Sequence, residues 1–460
     1  MNKKVLLIPI LALGLSCRQS AREFISVNAP LIALTHVRVI DGRGAPARED
    51  QTIIIELGRI KAIGAGIEIP GNARVLDLTG RTALPGLVGM HDHLFYTTET
   101  GKKEVAANAS FARLYLASGV TTIRTAGALD FQADLKTKTL VDRGEWPGPK
   151  IHLTSSYINH IAESTADLDR LSQWMNDWAD EGATSFKVYT NTTRAELATV
   201  IAAAHKRGLT VAGHLCAVGF REAADLGIDS LEHGLAVDTE FYSDKKADEC
   251  PERRNWLPEL ARMDVHSPSI QRMIHELVGH RVAVTSTLAI FETFLGARFQ
   301  MDPRMKDVLT AAAYSNCISQ MEHDKADPRW AKVWVMVLQR EMEFEREFVN
   351  AGGLLMSGVD PTGWGGVVAG FGDQRGLELL VQAGFSPLEA IRIATANGAQ
   401  FLGQSDIGTL ETGKQADIVV VRGNPATNIA DVRNVEVVFK DGIGYDSAKL
   451  IASVRGQVGS

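Results

Sequence analysis

Two histidines, His91 and His93, stand one residue apart at the end of the apolar run Leu84-Pro85-Gly86-Leu87-Val88-Gly89-Met90. In a β-strand, residues i and i+2 point to the same face, so both imidazoles would face one side. Imidazole nitrogens are common ligands of Zn²⁺ in proteins. The spacing therefore predicts that this pair binds a metal ion at the carboxyl end of a buried strand.

Four more potential ligands follow short apolar runs further along the chain: Lys187, His214, His233 and Asp360. A hydrolytic metal site needs neutral nitrogens, anionic oxygens and an open position for water. Lys187 is the odd member, because an ammonium group cannot bind a cation. Reaction of its amine with carbon dioxide gives an anionic carbamate whose two oxygens can bridge two metals. A buried lysine with a lowered pKa suits that reaction. The nitrogen and oxygen ligands favour zinc over calcium or magnesium.

Each of these residues also has a structural interpretation when taken alone. Lys187 could lie along a strand and reach solvent. Asp360 could cap a helix, since Pro361 and Thr362 follow it. The shared position of all six residues at predicted strand ends favours the metal site over these alternatives.

The elements that must position these residues alternate between apolar strands and amphipathic helices. Eight strand–helix units lie between residues 84 and 405. That number predicts an α/β fold with a (β/α)8 TIM barrel as the hydrolase domain, whose active site forms at the carboxyl ends of the strands. Residues 31–83 and 406–445 alternate with a period of two. We expect these two ends to form one small β-sandwich domain together.

Two stretches, 236–268 and 290–330, exceed what such a barrel needs. Both leave from carboxyl ends of predicted strands, where barrel active sites are built. Loops of this length in a compact domain are usually functional or have their own structure. We therefore expect them to form the walls and lid of a substrate pocket, the alternative being decoration without a role in catalysis.

The first residues are predicted to be a targeting signal. Lys3 and Lys4 precede the apolar run 5–15, which is too short to span a bilayer, and Ser16 and Cys17 follow. The pattern predicts a signal peptide over residues 1–17 of the lipoprotein type, with Cys17 as a lipid anchor to the membrane. The alternative is an ordinary cleaved signal. Either predicts export from a bacterial cytoplasm, to the periplasm or to the outer membrane as an anchored lipoprotein.

The charge of the chain limits its possible partners, and its cysteines limit the possible disulfides. The formal net charge is −7 with no basic stripe, which argues against nucleic acid as a partner. The cysteines after the signal are Cys216, Cys250 and Cys317. An odd count is a poor disulfide framework, although one bridge could form in an oxidising compartment. For Cys216, a buried free thiol is the favoured interpretation.

Three motifs resemble those of the amidohydrolase superfamily, and the resemblance extends over residues 31–445. The segment 84–93 is similar to the opening motif of that superfamily, and 408–419 is similar to its closing motif. Leu231-Glu232-His233-Gly234 is similar to the sixth-strand motif of the branch with imidazolonepropionase and the Xaa-Pro and Xaa-Arg dipeptidases. The resemblance implies two divalent metal ions. His91, His93 and Asp360 would bind one ion and His214 and His233 the other, with carbamylated Lys187 as the bridge.

The expected mechanism uses a hydroxide activated by the metals. Asp360 would take a proton from the attacking water and deliver it to the leaving nitrogen. His160 is a candidate to stabilise the oxyanion or to bind a substrate carboxylate. Tyr189 could donate a hydrogen bond, and Arg298 could pair with a carboxylate of the substrate. For these three residues the alternatives are structural polar contacts or, for Arg298, a solvated side chain.

The sequence thus predicts an enzyme that cleaves amide C–N bonds outside the cytoplasm. Dipeptides or N-acyl amino acids are the expected substrates. A cyclic-amide or lactone hydrolase with the same site is the alternative enzyme, and a non-catalytic binding lipoprotein is the alternative of another class. An oligomer is compatible with the sequence.

Overall fold

The computed structural model describes residues 20–162, 164–325 and 327–460. The predicted signal peptide 1–17, with Cys17, lies outside the described residues. Within them, no helix has both the length and the apolar content that crossing a membrane requires.

A mixed sheet of nine strands contains strands from both ends of the chain. Near its middle, Ile418–Arg422 pairs antiparallel with Arg81–Pro85 on one side and with Val435–Lys440 on the other. Alternate residues of these strands pack into one apolar cluster with Ile32, Leu34 and Phe439. The remaining strands of the sheet are Ile25–Val27, Leu31–Val39, Arg48–Glu56, Arg59–Gly64, Arg74–Asp77 and Ile443–Asp446.

The middle of the chain forms two parallel sheet segments, so the predicted α/β fold is confirmed. The first segment has the order Lys150–His152, Val120–Thr125 and Leu87–Asp92. The second has the order Thr154–Ile158, Ser185–Val188, Thr210–Gly213, Ser230–Glu232, Ala283–Ser286 and Leu355–Ser357. Most of these strands are buried along their whole length, as expected for parallel sheets covered on both faces.

Hydrogen bonds connect the two segments at two places. The amides of Val359 and Asp360 donate to the His91 carbonyl at 3.1 and 2.9 Å. At the second place, the Ala128 amide, which follows the strand Val120–Thr125, donates to the Ser155 carbonyl at 3.0 Å. Gly358 permits the first junction, because a Cβ at this position would lie 2.6 Å from the His91 nitrogen. These junctions bring the residues after several strands to one place.

Helices cover the parallel strands. The major ones, of 10 residues or more, are Asn108–Ala117, Phe131–Asp142, Thr165–Glu181, Arg194–Lys206, Pro268–Gly279, Ala311–Lys325, Pro328–Asn350 and Phe371–Gln382. Shorter helical elements are Ala21–Phe24, Glu99–Gly101, Phe220–Leu226, Gly234–Val237, Arg253–Leu260, Leu288–Glu292, Thr293–Arg298, Met305–Val308, Ile429–Arg433 and Ser447–Ala452. An antiparallel hairpin, Phe95–Thr98 with Lys103–Ala106, precedes the first major helix.

The last helix of the parallel region departs from a regular α-helix. It begins at Pro387 with the capping box between Ser386 and Glu389 that its sequence predicts. After Arg392 it widens into a π-helical turn over Ile393–Asn397 and ends with Gly398–Phe401. In the wider turn, the side-chain amide of Asn397 donates to the Leu355 carbonyl at 2.7 Å. This buried side chain therefore connects the helix to a parallel strand.

Cys216 and Cys250 form a disulfide, so the favoured interpretation of Cys216 as a free thiol is wrong. The bridge connects the loop after Thr210–Gly213 to the long stretch 236–268. Cys317 is a buried free cysteine whose sulfur lies 3.4 Å from the Tyr96 hydroxyl.

Reduction of this disulfide should destabilise the protein. The bridge closes a loop with a sequence separation of 34, for which restriction of the unfolded chain contributes roughly 3–4 kcal/mol. We expect a phosphine reductant to lower the urea midpoint of the wild type and of Cys317→Ala alike. The double variant Cys216→Ser/Cys250→Ser should have the lower urea midpoint without reductant, and the reductant should not change it. A wild-type midpoint that the reductant leaves unchanged would contradict this expectation.

Candidate active site

One cavity of about 770 Å³ collects all six side chains that the sequence predicts as metal ligands. They lie at or just after the carboxyl ends of five parallel strands: His91, His93, Lys187, His214, His233 and Asp360. Residues far apart in the chain therefore meet because parallel strands end on one side of the fold.

Three of the six side chains, His91, His233 and Asp360, are close enough to share one ion, and the other histidines lie beside them. The ring centres of His91 and His233 are 4.5 Å apart, and those of His214 and His233 are 4.3 Å apart. A carboxylate oxygen of Asp360 lies 3.3 Å from Nε2 of His93 and 3.8 Å from Nε2 of His91. One ligand atom from each of His91, His233 and Asp360 lies within 4.8 Å of the corresponding atoms of the other two residues. Nitrogen and carboxylate donors at this spacing fit a zinc-type ion.

Hydrogen bonds on the far side of three rings fix their orientation. Nδ1 of His93 lies 3.2 Å from the Gly127 carbonyl, and Nδ1 of His233 lies 2.8 Å from the Thr287 hydroxyl. Nδ1 of His91 lies 2.5 Å from a carboxylate oxygen of Glu232. With Nδ1 engaged, the Nε2 atoms are left for a ligand, which is the usual arrangement around metal-binding histidines.

Glu232 belongs to a buried network that also contains Arg124. The Arg124 guanidinium, 1% exposed, donates to Glu232 at 2.7 Å, to the Ser230 hydroxyl and to the Met90 carbonyl. Burial raises the pKa of Glu232, but the charges of Arg124 and His91 outweigh it and hold that pKa well below its usual range. The carboxylate therefore stays ionised and positions His91.

Lys187 is the least satisfied of the six residues. Its side chain is 1% exposed, and its Nζ has no hydrogen-bond partner among the described residues. Burial lowers the pKa of Lys187 to about 8. Nε2 of His233 is also buried without a hydrogen-bond partner among the described residues, its contact with the Asp360 carboxylate being 3.9 Å long. Unpaired buried polar atoms at one cavity indicate a missing ligand, and the alternative in which Lys187 reaches solvent is wrong.

Asp360 has left-handed backbone geometry, with φ +51°, and no helix begins at this residue. The helix-cap alternative is therefore wrong. The Thr362 hydroxyl donates to its carboxylate at 2.6 Å. Burial raises the pKa of Asp360, but the imidazoles of His91 and His93 outweigh it and hold that pKa well below its usual range. His233 also has a positive φ, +70°. Such strain often marks functional positions.

The two long stretches contribute walls of this cavity, in agreement with their predicted role. The stretch 236–268 supplies Cys250, Arg253 and Trp256, and the stretch 290–330 supplies Phe294. Together with Phe291 and Trp334 they make one side of the cavity largely aromatic, with the Phe291 and Trp334 rings stacked at 5.9 Å. Tyr189 also lines the cavity, with its ring centre 4.9 Å from that of His214.

Two predicted substrate residues are not among those that line the cavity. The His160 side chain is 50% exposed, and its Nδ1 lies 3.4 Å from Glu196. Glu196 also accepts from the amides of Ile161 and Ala162, so this carboxylate holds the loop and the ring with it. Arg298 follows a kink at Gly296 and lines a separate cavity of about 290 Å³. The structure therefore does not bring His160 or Arg298 to the predicted metal ligands.

The sequence interpretation missed several residues of the site. Two of them carried a local signal. Glu232 lies inside the motif 231–234, and Arg124 is a charged residue within an otherwise uncharged strand. Tyr157, which lines the cavity beside Tyr189, and Arg253 carried no such local signal.

Comparison with known proteins confirms the resemblance to the amidohydrolase superfamily. A family model described as "Amidohydrolase family" matches residues 336–443. The imidazolonepropionase of Vibrio cholerae serotype O1 is 26% identical over 261 residues, which cover 44% of this chain and 62% of the relative. The match thus spans less than two thirds of that relative.

Solved structures share the fold. A Xaa-Pro dipeptidase with bound methionine in its active site superposes with a TM-score of 0.67 at 20% identity, covering 90% of this chain and 100% of that one. The bottromycin amidohydrolase has the same TM-score at 19% identity and covers 92% of this chain and 88% of that one.

The substitution Glu232→Gln should weaken metal binding. It removes the charge that orients His91, and loss of such an outer partner typically costs about 10- to 100-fold in metal affinity. Competition with a chromophoric chelator for Zn²⁺ measures this directly. Ser230→Ala, which removes a hydroxyl from the same network and keeps the charges, should change the affinity much less. Equal affinities of Glu232→Gln and wild type would show that Glu232 does not act on the metal centre.

Proposed function

We propose that this chain, amidohydrolase-like in sequence and in fold, is a metal-dependent hydrolase of amide C–N bonds. The observation that carries the proposal is the convergence of six metal-ligand side chains on one cavity, two of them with buried polar atoms that lack a hydrogen-bond partner among the described residues. The two parallel sheet segments, of three and six strands, would together form the predicted (β/α)8 barrel, a proposal supported by the hydrogen bonds that connect them at two places.

The residues present fit two divalent cations, for which zinc is the expected identity. His91, His93 and Asp360 would hold one, and His214 and His233 the other. Lys187, whose lowered pKa leaves more of its amine uncharged than in an ordinary lysine, would carry carbon dioxide as the bridging carbamate. When bound, such cations lower the pKa of water and polarise carbonyl groups.

The side chains of the chain supply the proton transfers and the orientation. Asp360 is ionised and therefore able to accept a proton from the attacking water, and it would pass that proton to the departing nitrogen. Burial raises the pKa of Tyr189 to about 12 and raises that of Tyr157 well above its usual range. Both phenols therefore remain protonated, and Tyr189 can donate a hydrogen bond to the carbonyl oxygen as negative charge develops on it.

Short substrates such as dipeptides or N-acyl amino acids suit this cavity. Its volume is in the range of small-molecule sites, and its aromatic side offers a surface for an apolar side chain. The related dipeptidase that holds a methionine is in keeping with an amino-acid product. The sequence of residues 1–17 supports export as an anchored lipoprotein, where short peptides are available.

The test is release of amino acids by zinc-loaded protein that begins at residue 18. Pools of dipeptides and N-acyl amino acids are incubated with it, and free amino acids are quantified. Cyclic amides and lactones form a second panel. Turnover confined to that panel would favour the alternative enzyme, and no turnover of either panel by protein shown to hold metal would favour a binding protein.

Asp360→Asn should lower kcat about 10²- to 10⁴-fold, the usual contribution of a general acid–base group. Atomic emission or a chromophoric chelator should show whether metal remains bound, and circular dichroism should show an intact fold. The matched control is Asp169→Asn, the same change on an exposed helix position, which should leave kcat unchanged. Activity of Asp360→Asn at the wild-type level would refute the proton-transfer role.

Lys187→Ala should lower the metal content measured by atomic emission, because the bridging ligand is lost. Small carboxylic acids such as formate or propionate should restore part of it by supplying the missing oxygens. Lys136→Ala, at an exposed helix position, serves as the control and should keep its full metal content. Full occupancy of Lys187→Ala would show that Lys187 is not a bridge.

A further inference from the structure

Arg253 is a cation at the mouth of the cavity that the proposed reaction does not use. It begins the helix Arg253–Leu260 within the long stretch 236–268, and it lines the same cavity as Tyr189 and His214. Arg253 is exposed as a residue, but partial burial of its guanidinium lowers the pKa of that group. The guanidinium carbon lies 5.9 Å from the ring centre of Trp334, part of the aromatic side. The group is therefore placed between solvent and the predicted metal ligands.

The charge of Arg253 is not neutralised within the described part of the chain. No carboxylate there forms an ion pair with it, although Glu252 beside it also lines the cavity. The next residue, Arg254, contrasts with it. The guanidinium carbon of Arg254 lies 5.2 Å from the ring centre of Trp330, and its Nη1 lies 3.9 Å from the Asp327 carboxylate. Arg254 does not line the cavity. Of two adjacent arginines, only the one that faces the cavity lacks an acidic partner.

The loop that carries Arg253 is fixed next to the site. Cys250, three residues before Arg253, is bonded to Cys216, two residues after His214. The Lys245 ammonium donates to the carbonyls of Cys216 and Ala217 at 2.6 and 2.8 Å, and the Thr239 hydroxyl donates to the Cys216 carbonyl at 2.6 Å. These bonds hold the start of the helix at a set place relative to His214, which a residue that recognises a substrate requires.

We propose that Arg253 binds a free carboxylate of the substrate and so selects amides of amino acids over neutral amides. The inference rests on the proposed function and narrows its substrate class. Guanidinium groups bind carboxylates through paired, charge-assisted hydrogen bonds. The other cation that lines the cavity is Lys187, which is buried among the metal ligands. Arg253 thus takes the role that the sequence had suggested for Arg298, with the apolar side chain of the substrate against Phe291 and Trp334.

The test compares an acid with its neutral amide. N-acetyl-L-phenylalanine and N-acetyl-L-phenylalanine amide differ by one charge and place the same ring on the aromatic side. Their dissociation constants are measured by calorimetry with wild type, Arg253→Met, Arg253→Lys and Arg254→Met. Methionine keeps an apolar stem over Trp334 and removes the charge, and Arg254→Met is the matched control on the same helix. Because the acid is itself a proposed substrate, all four proteins, the wild type included, are compared in an Asp360→Asn background, which slows hydrolysis so that binding is measured apart from the reaction.

Wild type should bind the acid about tenfold more tightly than the amide, a discrimination expected for one charge-assisted contact near solvent. Arg253→Met should lose that preference while its affinity for the amide stays the same. Arg253→Lys should keep part of the preference, and Arg254→Met should keep all of it.

Equal affinity of wild type for both compounds, no binding of either, or a preference that survives in Arg253→Met would each overturn the assignment. Failure of the proposed function has a different signature, since the binding preference would persist while neither N-acyl amino acids nor dipeptides are cleaved. Where turnover is found, Arg253→Met should raise KM for the carboxylate substrate and leave kcat nearly unchanged.

Discussion

The ion pair between Arg124 and Glu232 is the contact that the site depends on most. It spans the interior between strands of the two parallel sheet segments, and Arg124 also donates to the Met90 carbonyl on a third strand. Two opposite charges buried this completely are stable only when every polar atom is paired. The pair meets that condition through Ser230 and His91, so the same bonds that join the strands also orient a predicted metal ligand.

The identity of the predicted ligands could be inferred from the sequence because each lies at or just after the carboxyl end of a buried strand. Local order is enough in such cases: a histidine pair at i and i+2 faces one side, and parallel strands end together. The capping box at Ser386 and Glu389 is local in the same way. The α/β class followed from the alternation of strand and helix alone.

Other features depend on contacts between distant parts of the chain and could not be inferred. His160 follows a strand as His93 does, but its Nδ1 lies 3.4 Å from Glu196 on the helix Arg194–Lys206, and its side chain does not line the cavity. Arg298 and Arg253 both lie in long stretches, and only the kink at Gly296 and the bridge from Cys250 to Cys216 determine which one faces the cavity. The pairing of Cys216 with Cys250 could not be inferred either, because the three cysteines after the predicted signal do not indicate which two are close in the fold.

The sheet built from both chain ends has a consequence for biosynthesis. During synthesis, Arg81–Pro85 cannot pair with its neighbour Ile418–Arg422 until more than 300 intervening residues have been made. Until then the strand edge is unpaired, and exposed edges favour association with other chains. Pairings this distant in sequence also form slowly. Shortened chains that end before residue 418 would keep that edge permanently, so residues 418–460 protect the finished molecule from association as well as completing its sheet.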